Sequence, residues 1–289
     1  MAILKNTVIN DTSGLRIPTG TTAQRPANPV DGDCRYNTDV GHVEYYYKGF
    51  WVDARTSKNG LEKNGLQLFL DISNPDSYPG NGTTWFDISD NGRNFSFNAA
   101  PSIGTDDDVV HYTTSGRIAT GPASNSFGIT NTSGHTVVMV MKQISNIATA
   151  SFNWYNAYGR GIFAHSSWSD GQHYYDTARD STGNLSRVNT GAAPFGVPIS
   201  NRWAVWCYRS LGDKRGQSIW RNGEKIAGEA NVGTQGNLDL NGTAAQVGNT
   251  TEYGNTWDAR LNSFLMYNRG LTDEEIINLT VAFRFRDGF

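Results

Sequence analysis

Charge is scarce in this chain, and it is not segregated by sign. Charged residues make up 18% of the 289 residues, and 24 Lys and Arg oppose 27 Asp and Glu, which gives a formal net charge of −3. The longest run of like charge is Asp106-Asp107-Asp108. A protein that binds nucleic acid without sequence preference needs a basic stripe to displace counterions from phosphates. We therefore expect no nucleic-acid partner.

Long apolar runs are missing, and cysteines are few. No window approaches the roughly 18 consecutive apolar residues of a membrane-spanning helix. Residues 1–7 show no basic head followed by an apolar stretch, so we expect neither a membrane span nor a signal peptide. Cys34 and Cys207 lie far apart in differently composed regions. We expect both to be free thiols, in a protein made in a reducing compartment.

Aromatic residues are abundant, and they argue against disorder. The chain has 8 Trp, 13 Tyr and 13 Phe, which need to be buried in a folded core. A chain of this length is long enough to build one.

Residues 1–54 predict an extended arm followed by a small β-meander. Residues 17–29 are rich in Pro, Thr and Gly, and proline neither continues a helix nor donates to a strand ladder. Short β-like runs separated by turn residues follow at 33–37, 42–47 and 50–53. We expect one aromatic face on this meander, formed by Tyr36, Tyr45, Tyr47 and Trp51. Because so small a sheet is marginal alone, this face is expected to dock on a partner or to close an oligomer.

After a polar linker at 55–65, residues 66–280 predict an all-β sandwich. Short strand-like runs alternate with turn clusters at the spacing of such folds. Asn222-Gly223 between two of these runs predicts a type I′ hairpin.

The end of the chain predicts one short helix and a tail. Residues 272–279 favour a helix because Thr272 suits the N-cap and acidic residues fill the first turn. Residues 281–289 are expected to form a C-terminal tail.

Two sets of motifs frame the predicted sandwich. At its start, an apolar strand, a Pro-rich loop and a Trp-x-Asp-x-Ser motif occupy 68–71, 75–80 and 85–94. At its end, residues 267–276 read Tyr-Asn-Arg-Gly-Leu-Thr-Asp-Glu-Glu-Ile. Together they resemble the laminin-G-like family, which implies a concanavalin-A-like jelly-roll sandwich over residues 66–280.

The N-terminal motifs carry an independent resemblance. Residues 15–26, 32–39 and 44–51 resemble a short module of fibre, baseplate and other virion proteins of tailed bacteriophages. Residues 283–289 resemble the Phe/Arg/Gly-rich ending of phage sandwich proteins. The resemblance implies a structural protein of the virion surface, made in the host cytoplasm. Its implied partners are capsid, tail or baseplate proteins and further copies of itself, with a trimer favoured.

The patterns of catalytic sites are missing from the sequence. Retaining glucanases with the jelly-roll fold place carboxylates as Glu-x-Asp-x-x-Glu on one strand, with carboxyl groups about 5 Å apart. No glutamate of this chain stands in that frame, and the five histidines show no metal-binding or triad spacing. We expect no enzyme and no required cofactor, and we rank a glycan hydrolase lowest.

Calcium is the one ion for which the sequence offers candidate ligands. Relatives of the resembled fold often hold Ca²⁺ at a loop edge. Asp106, Asp107 and Asp108 supply the oxygen donors that this hard cation prefers. A solvated acidic turn is the alternative for the same residues.

Two aromatic segments are predicted to be loops with a binding role. The first holds Trp154, Tyr155, Tyr158 and Arg160, and the second holds Trp168. Aromatic faces beside polar side chains are suited to sugars, and the same residue types dominate protein interfaces. The sequence leaves interface, glycan and plain packing open. We expect a virion structural protein that displays a lectin-like sandwich, with an adhesin for host-surface polysaccharide as the alternative.

Overall fold

The computed structural model describes most of the chain. The described residues are 16–47, 50–53, 61–130, 133–155, 161–179, 185–191, 201–212, 216–228, 238, 240, 243–248 and 257–287. The chain divides into two compact units, Met1–Asn59 and Gly60–Phe289. This division falls within the predicted linker at 55–65.

The N-terminal unit contains the predicted meander. Its sheet runs in the order β1 (Thr19–Gly20), β2 (Cys34–Asn37), β3 (His42–Tyr47) and β4 (Phe50–Asp53). The preceding arm is not simply extended. It pairs through β1, parallel to β2, and then forms a 3₁₀ turn at Thr22–Gln24.

The second unit is the predicted all-β sandwich of jelly-roll type. Its first sheet has eight strands in the spatial order β15 (Leu185–Asn189), β14 (Tyr174–Arg179), β13 (Gly161–His165), β12 (Phe152–Tyr155), β19 (Ala244–Gly248), β10 (Ile118–Ala123), β7 (Phe95–Phe97) and β6 (Thr84–Trp85). The second sheet runs β18 (Glu224–Gly228), β17 (Ser218–Arg221), β16 (Trp203–Ser210), β11 (His135–Gln143), β20 (Ala259–Tyr267), β9 (Val109–Thr113) and β8 (Ile103–Asp106). Strand β5 (Leu66–Asp71) also pairs with β20.

Side chains from both sheets fill the space between them. Every residue of β11 is buried, because this strand lies between β16 and β20 and is covered on both faces. Alternate residues of β12 point into the core, where Trp154 stacks on Phe264 of the second sheet at 5.4 Å. At the predicted hairpin, Asn222 and Gly223 have φ of 51° and 80°, which confirms the type I′ turn.

The helix is longer than the sequence predicts. Helix α1 spans Asp273–Asp287, so most of the predicted tail at 281–289 is helical. Ile276, Leu279 and Phe283 recur at helical spacing and pack on the outer face of the second sheet. Arg286 fixes the last turn by an ion pair with Asp71 of β5. Among the described residues, no helix is long and apolar enough to cross a membrane.

Candidate functional site

The loop between β13 and β14 presents Trp168 on a tight turn. The Trp168 amide donates to the Gln172 carbonyl at 2.8 Å, and the Gly171 amide donates to the Trp168 carbonyl at 2.9 Å. Asp170 Oδ1 accepts the Gln172 amide at 2.9 Å. Gly171 has φ of 81°, which glycine adopts without steric cost. The sequence Ser-Asp-Gly therefore fixes the loop through its own turn chemistry.

The root of this loop is anchored inside the sandwich. The Ser166 hydroxyl lies 3.0 Å from the Ser151 hydroxyl and also hydrogen-bonds the Tyr208 hydroxyl. Trp257 Nε1 donates to the Ser166 carbonyl at 2.5 Å. Because these partners are buried, the loop is held in one position.

Two partly exposed aromatic rings flank a buried histidine at the surface. The Trp168 ring lies 4.5 Å from the His165 ring, and the Tyr174 ring lies 6.2 Å from it. His165 is buried, whereas both aromatic rings remain partly exposed. Part of each of the two aromatic side chains therefore lies at the surface.

An ion pair supports the same surface from the neighbouring strands. Arg187 of β15 donates from Nε and Nη2 to the two carboxylate oxygens of Asp176 at 2.6 and 2.7 Å. Asp176 is fully buried, and His165 Nε2 lies 3.4 Å from it. The Arg187 guanidinium also lies over the Tyr174 ring at 4.9 Å.

Asp170 supplies an exposed carboxylate beside the rings. It accepts hydrogen bonds from the Tyr174 hydroxyl at 2.6 Å and from Gln172 Nε2 at 3.2 Å. The hydrogen bond to Asp170 raises the pKa of Tyr174. We call this set the Trp168 surface: Trp168, Asp170, Gln172, Tyr174 and Arg187.

The first predicted aromatic loop is partly a strand, and Trp154 is not exposed. The segment begins as β12, and the Trp154 side chain is fully buried between the sheets. Trp154 therefore packs the core and cannot contact a ligand. The alternation of Phe152, Asn153 and Trp154 was the signal for a strand. The Tyr155 side chain, Tyr158 and Arg160 lie outside the described residues.

One residue of the predicted aromatic face of the meander, Trp51, lies on the other face of the sheet. Cross-strand partners share a face, and Tyr36 pairs with Val43, two residues before Tyr45 on the same strand. Trp51 pairs with Tyr46 and so lies on the opposite face. Tyr36 is exposed and Tyr45 is partly buried, whereas the Tyr47 side chain lies outside the described part of the chain.

The face that carries Trp51 is stabilised by a buried charge cluster that the sequence did not reveal. Arg25 of the arm donates to both carboxylate oxygens of Glu44, at 3.2 and 2.6 Å, and Asn37 Nδ2 donates to Glu44 Oε2 at 3.0 Å. The guanidiniums of Arg25 and Arg35 each lie 5.9 Å from the Trp51 ring centroid. Burial alone would raise the pKa of Glu44, but these hydrogen bonds outweigh it and lower that pKa.

A pocket lies beside this cluster. Its volume is about 390 Å³. It is lined by Pro18, Thr19, Gln24, Pro26, Asp33, Cys34, Arg35 and Trp51. Cys34 is a free, exposed thiol, whereas Cys207 is free and buried.

The three predicted calcium ligands lie at the β8–β9 turn, where two of them form ion pairs. Lys142 Nζ lies 2.7 Å from Asp106 and 2.8 Å from Asp107, and Arg260 also pairs with Asp106. The hydrogen bond from Lys142, with that from Arg260, lowers the pKa of Asp106. A calcium ion would have to displace both cations. No cluster of three or more His, Cys, Asp and Glu residues suited to a metal occurs within the described ranges.

Comparisons with known proteins agree with the fold. No protein-family model and no curated protein matches the sequence. Among solved structures, the binding domain of Paraclostridial Mosquitocidal Protein 1 matches with a TM-score of 0.60 and 16% identity, over 76% of this chain and 53% of that one. The receptor binding domain of botulinum neurotoxin mosaic serotype C/D matches with a TM-score of 0.53 and 11% identity, over 76% and 51%.

A mutant of Trypanosoma rangeli sialidase displaying trans-sialidase activity also matches. Its TM-score is 0.52 at 17% identity, over 81% of this chain and 34% of that one. This chain thus spans about half of the two binding domains and about a third of the sialidase. At these identities the likeness shows the fold, a jelly-roll β-sandwich, and nothing finer.

Proposed function

We propose that this chain binds carbohydrate through the Trp168 surface. The observation that carries the proposal is the joint presentation of the partly exposed Trp168 and Tyr174 rings beside the exposed Asp170 carboxylate. Aromatic rings pack against the C–H faces of sugars, and a carboxylate accepts hydrogen bonds from their hydroxyls. The shared fold supports the proposal, because two of the similar structures are described as binding or receptor binding domains.

The proposal is binding without turnover. Asp176 is fully buried and bonded by both N–H groups of Arg187 that face it, so it does not offer a carboxylate to a substrate. Asp170 alone does not supply the pair of carboxyl groups that glycoside hydrolysis uses.

The test is a glycan array probed with the full chain and two variants. Trp168→Ala removes one of the two rings, and we expect it to weaken glycan binding by about 2 kcal/mol or more. Phe86→Ala is the matched control, because Phe86 is an exposed aromatic residue beside β6, at the far edge of the same sheet. Unchanged binding by Trp168→Ala, or equal loss in both variants, would contradict the proposal.

We also propose that the N-terminal unit attaches the sandwich to a virion surface. Three observations support this role: the resemblance of its motifs to phage virion modules, its compactness as a separate unit, and the exposed Cys34 and Tyr36 on the face away from Glu44. Its proposed partners are capsid, tail or baseplate proteins and further copies of this chain, with a trimer favoured and assembly in the host cytoplasm.

Truncation separates attachment from binding. We expect light scattering to show an oligomer for the full chain and a monomer for residues 60–289, because the docking face is removed. The truncated chain should keep its glycan binding. An oligomer that survives the truncation would contradict the attachment role.

A further inference from the structure

We propose that the Trp168 surface discriminates against acidic glycans and in favour of uncharged ones. This inference rests on the proposed function and concerns the chemistry of its ligand. It follows from which charges on the surface are already bound internally and which face the solvent.

The cation of the Trp168 surface is committed to an internal partner. Nε and Nη2 of Arg187 form the two parallel hydrogen bonds to Asp176 by which a guanidinium recognises a carboxylate. The same guanidinium is packed over the Tyr174 ring. Asp176 therefore occupies the Nε–Nη2 edge of Arg187, whose side chain is 38% exposed.

Competition for Arg187 by an acidic sugar is unfavourable. Asp176 is fully buried, and removal of its partner would leave an uncompensated charge inside the protein, which is strongly destabilising. His165 also faces Asp176 and is itself buried, so it does not reach a ligand at the surface. The Arg187–Asp176 ion pair has no net charge, and its guanidinium packs on the Tyr174 ring.

The Arg187 charge is paired with Asp176, so the net charge of the Trp168 surface together with Asp176 is negative. Asp170 is exposed and receives hydrogen bonds from the neutral groups of Tyr174 and Gln172. Its carboxylate attracts hydroxyl donors of a sugar and repels the carboxylate of a uronic or sialic acid. The described residues of the Trp168 surface thus favour a ligand that is rich in hydroxyl groups and carries no carboxylate.

The experiment measures neutral, acidic and amino glycans against the full chain at low and high salt. We expect the neutral glycans to bind better than the acidic ones, with less than about a twofold change in affinity between the two salt conditions, because no ion pair forms with a neutral ligand. Asp170→Asn should weaken neutral-glycan binding about tenfold and reduce the discrimination against acidic glycans. Asp76→Asn is the control, because Asp76 is an exposed acid in the loop between β5 and β6 and does not belong to the Trp168 surface.

The outcomes separate this inference from the function on which it rests. Salt-sensitive binding restricted to acidic glycans, or binding restricted to cationic amino sugars, would overturn the selectivity and leave the glycan-binding function intact. Binding of no glycan in any class would overturn the proposed function and the selectivity with it. Equal effects of Asp170→Asn and Asp76→Asn on glycan affinity would show that Asp170 is not part of the binding site.

Discussion

Trp154 and Trp168 belong to similar aromatic segments of the sequence and occupy opposite environments. Trp154 lies in β12, where the two-residue period of the strand turns it into the core against Phe264. Trp168 lies in a turn that holds its ring against His165 at the surface. The difference arises from the backbone that carries each residue and not from residue type.

Substitution of each tryptophan should separate these roles. We expect Trp154→Ala to lower the free energy of unfolding by about 3–5 kcal/mol, because it leaves a cavity between the sheets. Trp168→Ala should lower it less, by about 1 kcal/mol, because only part of its side chain is buried against the His165 ring. Urea denaturation followed by circular dichroism measures both. A small effect of Trp154→Ala would place its ring outside the core.

At the scale of single elements, the residues of a turn or a helix cap correctly predicted the local structure that they determine. Asn222-Gly223 predicted its hairpin, and Thr272 predicted the start of α1, because both depend on neighbouring residues alone. The Thr272 hydroxyl accepts the Glu275 amide at 3.2 Å, and the Thr272 amide donates to Glu275 Oε2 at 2.7 Å. This reciprocal pair is a capping box.

The capping box gives a prediction at this scale. We expect Thr272→Ala to lower the free energy of unfolding by about 1 kcal/mol, because the Glu275 amide loses its acceptor. Thr272→Ser keeps the hydroxyl and should stay close to the parent chain. Equal loss in both variants, measured by thermal unfolding, would show that the methyl group of Thr272 matters and not the cap.

The parts that the sequence did not predict depend on partners distant in the chain. Trp51 lies on the face opposite to the predicted one, because the strand register places it beside Tyr46. A shift of the register by one residue would move every side chain of the strand to the other face. Arg187 and Asp176 meet because β14 and β15 pair side by side, which no local pattern reveals. The jelly roll, the meander and Trp168 as a surface residue were predictable. The partners of Trp168 were not.

At the scale of the whole molecule, the two units are stabilised in different ways. Among the described residues, both apolar clusters belong to the second unit, whereas the N-terminal unit is built around the Glu44 ion pairs. The second unit also buries ionisable groups in its core. His173 stacks on Trp206 at 3.8 Å, and His135 hydrogen-bonds the Tyr175 hydroxyl.

These buried histidines predict that acid destabilises the second unit. Burial lowers the pKa of both His135 and His173 from 6.5 to about 3, so the folded chain keeps them neutral. The unfolded chain binds protons below its pKa of 6.5, and the stability is lost progressively as the pH falls from that value towards 3. At about pH 5 the loss should be about 2 kcal/mol for each histidine.

Denaturation of the parent chain at neutral and acid pH, beside His173→Gln, measures this loss. The pH dependence should be smaller in His173→Gln than in the parent chain, because the variant lacks the proton-binding group that the folded state keeps neutral. An unchanged slope in His173→Gln would contradict the assignment of the buried neutral state.

Glycan binding at the Trp168 surface is best tested by a crystal structure of the full chain with a neutral oligosaccharide that it binds. We expect a sugar ring packed on Trp168 or Tyr174, with a hydroxyl within hydrogen-bond distance of Asp170. Sugar density in the pocket beside Trp51, or elsewhere on the protein away from the Trp168 surface, would contradict it.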